Sequence, residues 1–363
     1  MKSEAADMAG LAAPIADGQD ADPAQGRANQ RRSRREPYSI RHRRHYAALD
    51  LGTNNCRLLI ARPRPGGFTV VDAYSRIVRL GEGLVETGEL CQQAQDRTIE
   101  ALAVCADKVR RRGVHALRAV ATEACRRAGN GVQFIDRVFR ETGIALDVIA
   151  PAEEARLAVL GCQSLLAAGG GPGLVFDIGG GSTELALVDP HESGARAIGA
   201  WASAPWGVVS LAETEPRDLT DPDALVAAYQ RMKGRFDDSL AGFVDELRRI
   251  SSGNRQLLGT SGTVTTLASL YLGLPAYDRR QVDGCMVPAD AMRQISARLS
   301  AQPIARRAEL ACIGTERADL VVAGCAILEA ILDHWPSSEI RVADRGIREG
   351  ILRGLMSRDG FHF

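Results

Sequence analysis

Lysine is almost absent from this chain, and its scarcity excludes one common kind of phosphate site. Lys2, Lys108 and Lys233 are the only lysines among 363 residues, so arginine carries nearly all of the basic charge. A phosphate-binding loop of the Gly-Lys-Ser/Thr type is excluded, because no lysine follows a glycine-rich stretch. The formal net charge is +0, which excludes electrostatic nucleic-acid binding by the molecule as a whole.

Paired cysteines and long apolar runs are missing as well. The 8 cysteines show no Cys-x-x-Cys spacing, and the 6 histidines show no ligand spacing. Most cysteines lie in apolar segments, so we expect buried thiols in a reducing compartment. The longest apolar run, Leu320–Leu328, ends at Glu329 and is too short to span a membrane. The first residues lack the apolar segment of a signal peptide, and a cytoplasmic protein is therefore expected.

Residues 1–44 are predicted to form a disordered, basic N-terminal tail. They contain few large apolar residues, and arginines cluster between Arg31 and Arg44. We favour a solvated tail without a binding role. The alternative is an arm that contacts a polyanion, either the substrate or RNA.

The remaining sequence repeats one pattern of strands and helices. An apolar strand and a glycine turn open each half: Tyr46–Leu51 before Gly52–Asn55, and Gly173–Ile178 before Gly179–Thr183. Further strands follow each turn, and then helices alternate with strands. This internal duplication predicts an α/β protein with a first lobe over residues 45–172, a second over 173–363, and a cleft between them.

One long helix is predicted in the second half, over Asp223–Arg249. Its large apolar residues recur every three or four positions, which is typical of a stripe that packs on a core rather than of a binding site.

The two glycine turns are the first candidates for chemistry. Each follows an aspartate near a strand end, Asp50 in the first half and Asp177 in the second. Glycines allow successive backbone N–H groups to point into one concavity, where phosphoryl oxygens can bind. The aspartates are suited to Mg²⁺, which prefers oxygen ligands. An ordinary hairpin is the alternative for either turn alone, but two turns in register across a duplication favour a phosphate site. The predicted phosphate-binding residues of the turns are Gly52, Thr53, Asn54, Asn55, Gly179, Gly180, Gly181, Ser182 and Thr183.

Two carboxylates are candidates for catalysis. Glu154 follows Pro151 at a predicted helix start, where an acidic residue can simply complement the helix dipole. The functional interpretation is a carboxylate that faces the cleft and orients or deprotonates a water. Glu184 lies two residues after Ser182, and either a surface charge or a role beside the metal fits that position.

Three strand-to-helix junctions complete the candidates. Gly259, Ser261 and Gly262 lie where small residues let a helix terminus approach an anion. At the second junction Thr122 is a candidate helix cap, and Arg126 is a candidate phosphate ligand. The charged segment Asp344–Gly350 either lines or braces the cleft.

The sequence resembles the exopolyphosphatase / guanosine pentaphosphate phosphohydrolase (Ppx/GppA) family over about Tyr46 to Leu355. The motifs that carry the resemblance are Ala48–Asn54, Ala121–Arg126, Glu153–Arg156, Phe176–Glu184, Gly259–Thr263, Arg317–Asp319 and Asp344–Gly350. The family's fold is the duplicated actin-like ATPase (ribonuclease H-like) fold. The resemblance implies that Glu154 acts on the attacking water and that Asp50, Asp177 and Glu184 arrange Mg²⁺ and water.

The chain departs from the family at two points. Asn55 stands where the family usually has serine or threonine, and the additional C-terminal helical domains of longer members are missing. The second departure puts processive action on long polyphosphate in doubt. Oligomeric state is left open, with a homodimer as one alternative.

Direct in-line attack by water on a terminal phosphate is the expected reaction, without a phosphoenzyme. Inorganic polyphosphate is the first substrate candidate, and guanosine pentaphosphate is the alternative. The alternatives from other classes are a kinase of the actin-like ATPase superfamily and an alarmone sensor that binds without turnover.

Overall fold

Helices and strands alternate along the chain in the computed structural model, which describes residues 43–190, 196–250 and 255–361. Residues 1–42 of the predicted basic tail lie outside the described residues. The elements of the first half are, in order, β1 (His45–Leu51), β2 (Asn55–Arg64), β3 (Gly67–Ile77), α1 (Leu84–Thr87), α2 (Gln92–Arg111), β4 (Val114–Ala121), α3 (Glu123–Arg127), α4 (Gly131–Thr142), β5 (Leu146–Val148) and α5 (Pro151–Cys162). Those of the second half are β6 (Gly173–Ile178), β7 (Thr183–Pro190), β8 (Arg196–Ala204), α6 (Val208–Ala212), α7 (Pro222–Ser239), α8 (Ala241–Arg249), β9 (Gln256–Thr260), α9 (Gly262–Tyr271), α10 (Arg279–Val282), β10 (Met286–Pro288), α11 (Ala289–Ser300), α12 (Ile304–Ala308), α13 (Val321–His334), β11 (Glu339–Ala343) and α14 (Ile347–Arg358).

The first sheet has five strands in the order β3-β2-β1-β4-β5. β1, β2 and β3 form an antiparallel meander, whereas β4 and β5 continue the sheet in parallel with β1. Successive residues of β1 enter two different cores, because side chains alternate between the faces of a strand. Leu49 packs in the core that contains Leu102 of α2, and Tyr46 packs in the core that contains Leu352 of α14.

The second sheet repeats this arrangement and adds one strand, in the order β8-β7-β6-β9-β11-β10. β6, β7 and β8 form the antiparallel meander, and β9 and β11 continue in parallel with β6. Two sheets with the same strand order and the same mixture of directions define the duplicated actin-like (ribonuclease H-like) fold, with its two lobes. The fold predicted from the sequence is therefore confirmed.

Helices α5 and α14 pack on each other at backbone distance. A Cβ on Gly161 would lie 2.0 Å from the Gly346 carbonyl oxygen, and one on Gly350 would lie 2.1 Å from that of Leu157, so both positions require glycine. Val159 of α5 belongs to a core with Val175 of the second sheet, although α5 precedes that sheet in the sequence. The division at residues 172 and 173 stays a prediction, since α14 packs on the first sheet.

The helix predicted over Asp223–Arg249 is in fact two helices. α7 ends and α8 begins around Leu240, whose φ of −90° and ψ of −6° interrupt the regular helix. The predicted apolar stripe is buried on both sides of this break, as Phe236 and Phe243 show. Both segments contribute to one core. Strand β10, which is three residues long, was not predicted from the sequence.

None of the helices in the described ranges combines the length and the apolar character that a membrane span requires.

Candidate active site

The two glycine turns meet in a cleft between the lobes, around a cavity of about 120 Å³. Both turns are closed by the same backbone hydrogen bond: Gly52 N donates to Asn55 O and Gly179 N donates to Ser182 O, each at 2.9 Å. The predicted site residues that line the cavity are Asp50, Gly52, Thr53, Asn54, Asn55, Glu154, Asp177, Gly179, Gly180, Gly181, Ser182, Glu184, Ser261 and Gly262.

Direct contact between the turns depends on glycine at position 180. A Cβ there would lie 2.9 Å from Thr53 Cβ and 3.0 Å from Asn54 N, closer than real side chains approach. The two turns are therefore opposed across the cleft at van der Waals distance.

Three polar atoms at the cavity are buried and have no hydrogen-bond partner among the described residues. They are Thr53 Oγ1, Asn54 Oδ1 and Ser261 Oγ. Ser261 also has a φ of 125°, a conformation that is unusual for any residue except glycine. A buried polar group without a partner costs about 1–3 kcal/mol. Phosphoryl oxygens and bound water in the cavity would satisfy these groups.

Asp177 and Glu184 lie directly opposite each other on β6 and β7. Opposed residues of an antiparallel pair project from the same face, so the two carboxyl groups are neighbours. Burial, and then the charge of Asp50, raises the pKa of Asp177 to about 6. Burial also raises the pKa of Glu184, with contributions from Glu154 and Asp177. Ser203 Oγ donates to Glu184 Oε1 at 2.9 Å and orients that carboxylate.

The equivalent pair in the first lobe is Asp50 and Arg57, which lie opposite each other on β1 and β2. Burial raises the pKa of Asp50, and the Arg57 guanidinium opposes this shift. The duplication has therefore placed an arginine where the second lobe carries Glu184.

Glu154 lies in the first turn of α5, and only 5% of its surface is exposed. Arg126 Nη1 donates to Glu154 Oε2 at 2.8 Å. Burial nevertheless dominates and raises the pKa of Glu154 to about 7, although the Arg126 charge acts in the opposite direction. The neighbouring Glu153 instead pairs with Arg118 and Arg156, away from the cavity.

Three predicted phosphate ligands lie elsewhere. Arg126 does not line the cavity, because its guanidinium is directed to Glu154, to Glu123 Oε2 and to the Ile149 carbonyl oxygen. Thr183 is fully buried and donates to the Trp206 carbonyl oxygen. Gly259 lies within β9, where a Cβ would be 2.4 Å from the Phe176 ring.

Six polar residues that sequence reasoning did not assign to the site line the same cavity: Thr122, Glu123, Arg57, Thr263, Thr266 and Arg317. Thr122 and Glu123 could have been found from the sequence, because they follow a strand of the first sheet. β4 runs parallel to β1, and the carboxyl ends of parallel strands meet at one sheet edge. Thr122 occupies the N-cap position of α3, as predicted, although its side chain makes no capping hydrogen bond. Arg317 is far from both turns in sequence, and only tertiary contacts bring it there.

The charged segment Asp344–Gly350 both braces the structure and lines a second cavity. Arg345 Nε donates to Asp283 at 3.1 Å, and Glu349 Oε2 accepts from Gly346 N at 2.9 Å. The second cavity, of about 330 Å³, shares Asp50, Arg57, Asp177 and Arg317 with the first. Its further basic lining residues are Arg345 and Arg348.

The side chains of Asp50 and Asp177 fit a hydrated divalent cation. Both carboxylates line the cavity, and neither accepts a hydrogen bond from another described residue. Within the described ranges, no group of three His, Cys, Asp or Glu side chains forms a ready metal cage. Mg²⁺ does not need one, because it commonly binds through one or two carboxylates and keeps several waters.

A duplicated actin-like fold with opposed glycine turns and buried carboxylates defines an enzyme that acts on phosphate groups. The chain belongs to the Ppx/GppA phosphatase family, whose model matches residues 59–359. It is a hydrolase of phosphoanhydride bonds.

Individual relatives support this family assignment. Exopolyphosphatase 2 of Mycobacterium tuberculosis is 33% identical over 325 residues, which are 85% of this chain and 98% of the relative. A putative exopolyphosphatase of Haemophilus influenzae is 28% identical and covers 88% of this chain and 94% of its own length. The crystal structure of an exopolyphosphatase from Cytophaga hutchinsonii matches with a TM-score of 0.77 at 25% identity, over 87% of this chain and 98% of that one. The Aquifex aeolicus member of the Ppx/GppA family matches with a TM-score of 0.70 at 28% identity, over 88% and 99%.

Proposed function

We propose that this chain is a Mg²⁺-dependent exopolyphosphatase that releases terminal orthophosphate by direct attack of water. The observation that carries the proposal is the position of Glu154. Its buried carboxyl group lines the same cavity as the two opposed glycine turns. A carboxylate at that point can accept a proton from a water that faces the bound phosphate. Its raised pKa, about 7, makes it a better base than an ordinary glutamate.

The turns supply the binding half of the mechanism. The Gly52 and Gly179 N–H groups close the turns, so the backbone N–H groups of residues 53–55 and 180–182 and the Thr53, Ser182 and Ser261 hydroxyls hold the terminal phosphoryl oxygens. Glu154 takes a proton from the water as its oxygen bonds to phosphorus, and the bond to the bridging oxygen breaks. Magnesium held by Asp50 and Asp177 would neutralise phosphate charge as the leaving oxygen departs.

A covalent intermediate is not proposed. Among the described residues that line the cavity there is no cysteine or histidine, the groups that most often serve as nucleophile or as its activating base. Glu184, held by Ser203, has the role of a second carboxylate that positions the metal or the water.

The shape and charge of the cleft support a long polyanion as substrate. The catalytic cavity continues into the larger cavity with its four arginines, Arg57, Arg317, Arg345 and Arg348. A chain of phosphates that ended at the glycine turns could extend along these guanidinium groups. Similar proteins from two organisms carry the name exopolyphosphatase, which agrees with this assignment.

Guanosine pentaphosphate is the second candidate substrate. Val208, Leu320 and Val321 add apolar surface to the cavity wall, and a linear polyphosphate has no apolar group to contact them. A guanine ring could pack there while its phosphates reach the same turns. A cytoplasmic location stays a prediction.

Orthophosphate release should be measured with polyphosphates of several lengths, guanosine pentaphosphate and ATP, each with Mg²⁺ and with EDTA. We expect Mg²⁺-dependent release that is fastest from polyphosphate. Release only from guanosine pentaphosphate would support the second candidate, and tight binding without release would support a sensor.

The matched variants are Glu154→Gln and Glu153→Gln, which lie side by side in the first turn of α5. Loss of the Glu154 carboxylate should lower kcat by about 10²–10⁴-fold, the usual range for a general base, while substrate still binds. Glu153→Gln should stay near wild type. Normal turnover by Glu154→Gln would refute the proposed role of this residue.

A further inference from the structure

Arg307 of the short helix α12 is a buried cation that forms no ion pair with any residue of the described ranges. Only 5% of its surface is exposed. Its Nε and Nη1 atoms are buried and have no hydrogen-bond partner within the described ranges, and no described carboxylate lies within ion-pair distance. The adjacent Arg306, in contrast, is exposed and pairs with Glu309 at 3.1 Å.

Arg307 lines a separate cavity of about 50 Å³ in the second lobe. One water needs only about 10–15 Å³, so a ligand of several non-hydrogen atoms fits. Apolar side chains, including Leu225, Met232 and Ile304, form much of the wall, and exposed Arg217 lies at its edge.

Two carboxylates also line this cavity, and both are already paired. Asp319 accepts from Arg79, with Nη1 to Oδ2 at 2.8 Å, and Glu215 is bound by Arg231 at 2.5 Å. Asp319 acts on the Arg307 guanidinium through its charge, but neither carboxylate forms an ion pair with Arg307. An arginine stays protonated even where burial lowers its pKa, as it does here. Since an unpaired buried charge is strongly unfavourable, an anion from solution is the remaining partner.

We propose that the cavity at Arg307 binds a small oxyanion and that orthophosphate is its ligand. A guanidinium presents several N–H donors and binds phosphate oxygens in bidentate geometry. Orthophosphate is also the product of phosphoanhydride hydrolysis, so the choice of ligand rests on the proposed function. The site itself rests on the geometry of Arg307.

The position of this cavity gives the site a connection to the catalytic cleft. Arg317, Leu320 and Val321 face the cleft, whereas the interleaved Asp319, Val322 and Ala323 face the cavity at Arg307. The start of α13 thus separates the two, and a bound product would lie one helix away from the active site.

The test compares the melting temperatures of the wild-type protein and of Arg307→Met, both as the full chain, with Arg306→Met as the matched control. Each protein is titrated with sodium phosphate, sulfate or acetate against sodium chloride at equal ionic strength. Without oxyanion, Arg307→Met should melt above wild type, because it removes an uncompensated buried charge. As phosphate rises, wild type should gain stability and the difference should close or reverse. Arg306→Met should follow wild type throughout.

Phosphate that binds in the catalytic cleft stabilises all of these proteins alike, so the difference between them isolates the Arg307 site. The apparent phosphate affinity of this site should fall by about tenfold to a hundredfold in Arg307→Met, as expected for loss of a charged hydrogen bond. Arg307→Lys, which keeps the charge, should retain part of the response, and sulfate should act like phosphate.

Three results would overturn the proposal. A difference in melting temperature between Arg307→Met and wild type that does not depend on the anion would show a buried charge without a ligand. Destabilisation by Arg307→Met in every buffer would show an internal partner. A response to acetate alone would exclude orthophosphate. Because no turnover is measured, each result is independent of whether the proposed exopolyphosphatase activity is found.

Discussion

Arg126 Nη1 lies 2.8 Å from Glu154 Oε2, and the same nitrogen donates to the Ile149 carbonyl oxygen at 2.7 Å. Glu123 Oε2 accepts from Arg126 Nη2 at 2.8 Å and holds the other side of the guanidinium. Arg126 is therefore fixed by three groups and orders the carboxylate proposed as the general base. It also keeps the pKa of Glu154 lower than burial alone would make it.

Arg126→Met should slow turnover and move its pH dependence. The ascending limb of kcat/KM against pH, expected near pH 7 in wild type, should shift upward because the Glu154 pKa is no longer lowered by Arg126. kcat should fall by roughly 10–100-fold, the value of one charged hydrogen bond, while KM changes little. The control is Arg127→Met, at the exposed neighbouring position. A raised KM, with an unchanged ascending limb of kcat/KM against pH, would instead indicate that Arg126 binds phosphate.

Gly180→Ala should reduce activity through a steric clash alone. Gly180 has no positive φ, but its Cβ would lie 2.9 Å from Thr53 Cβ across the cleft. The two turns must then separate, and a displacement of about 1 Å at reacting groups costs roughly 10²-fold in rate. We expect kcat/KM to fall by about this factor, measured as orthophosphate release. Gly234→Ala in α7, where a Cβ meets nothing within 4 Å, should keep full activity and slightly stabilise the helix.

The Arg79–Asp319 ion pair should hold the lobes together. Arg79 follows the first sheet, has a φ of 47°, and reaches Asp319 beside the start of α13 with two hydrogen bonds of 2.8 and 3.2 Å. Arg79 N also donates to the Asn54 carbonyl oxygen at 3.0 Å, so the contact connects directly to the first glycine turn.

A double-mutant cycle of Arg79→Met and Asp319→Asn measures this link. Each single variant should lower the free energy of unfolding, and the coupling between them should be about 1 kcal/mol. KM should rise in both, because the substrate site is assembled from two lobes. Additive effects on unfolding would show that the pair contributes nothing to holding the lobes.

The metal-free protein should lose stability as pH rises from about 5 to about 8. The folded pKa values of Glu154 and Asp177, about 7 and about 6, exceed the ordinary values of 4.5 and 3.8, so the folded state binds more protons over this window. Stability falls with pH wherever the folded state binds the excess protons.

Urea unfolding in EDTA should show this loss, on the order of 1–3 kcal/mol from Glu154 alone. Glu154→Gln should flatten the dependence, and added Mg²⁺ should restore stability at the higher pH. An unfolding free energy that rises over the same window in EDTA would contradict the assigned shifts.

The sequence alone determined the features that local order controls. An aspartate before a glycine turn, repeated at Asp50 and Asp177, predicted the duplication, both meanders and the opposed turns, because strand and turn preferences act over a few residues. The periodicity of the apolar residues over Asp223–Arg249 could not locate the break at Leu240. One continuous helix and two successive helices around one core bury the same side chains, so both give the same sequence pattern.

Tertiary structure alone decided which charged groups meet. Nothing in the sequence near Arg126 indicated that its guanidinium would pair with Glu154. Nothing in the sequence indicated either that Arg307 would be buried with no hydrogen-bond partner in the part of the chain that the structure describes. Burial and pairing depend on distances between residues that are far apart in the chain, and folding fixes those distances. The pKa values of the carboxylates proposed for catalysis follow from the same burial, so they depend on the assembly of both lobes.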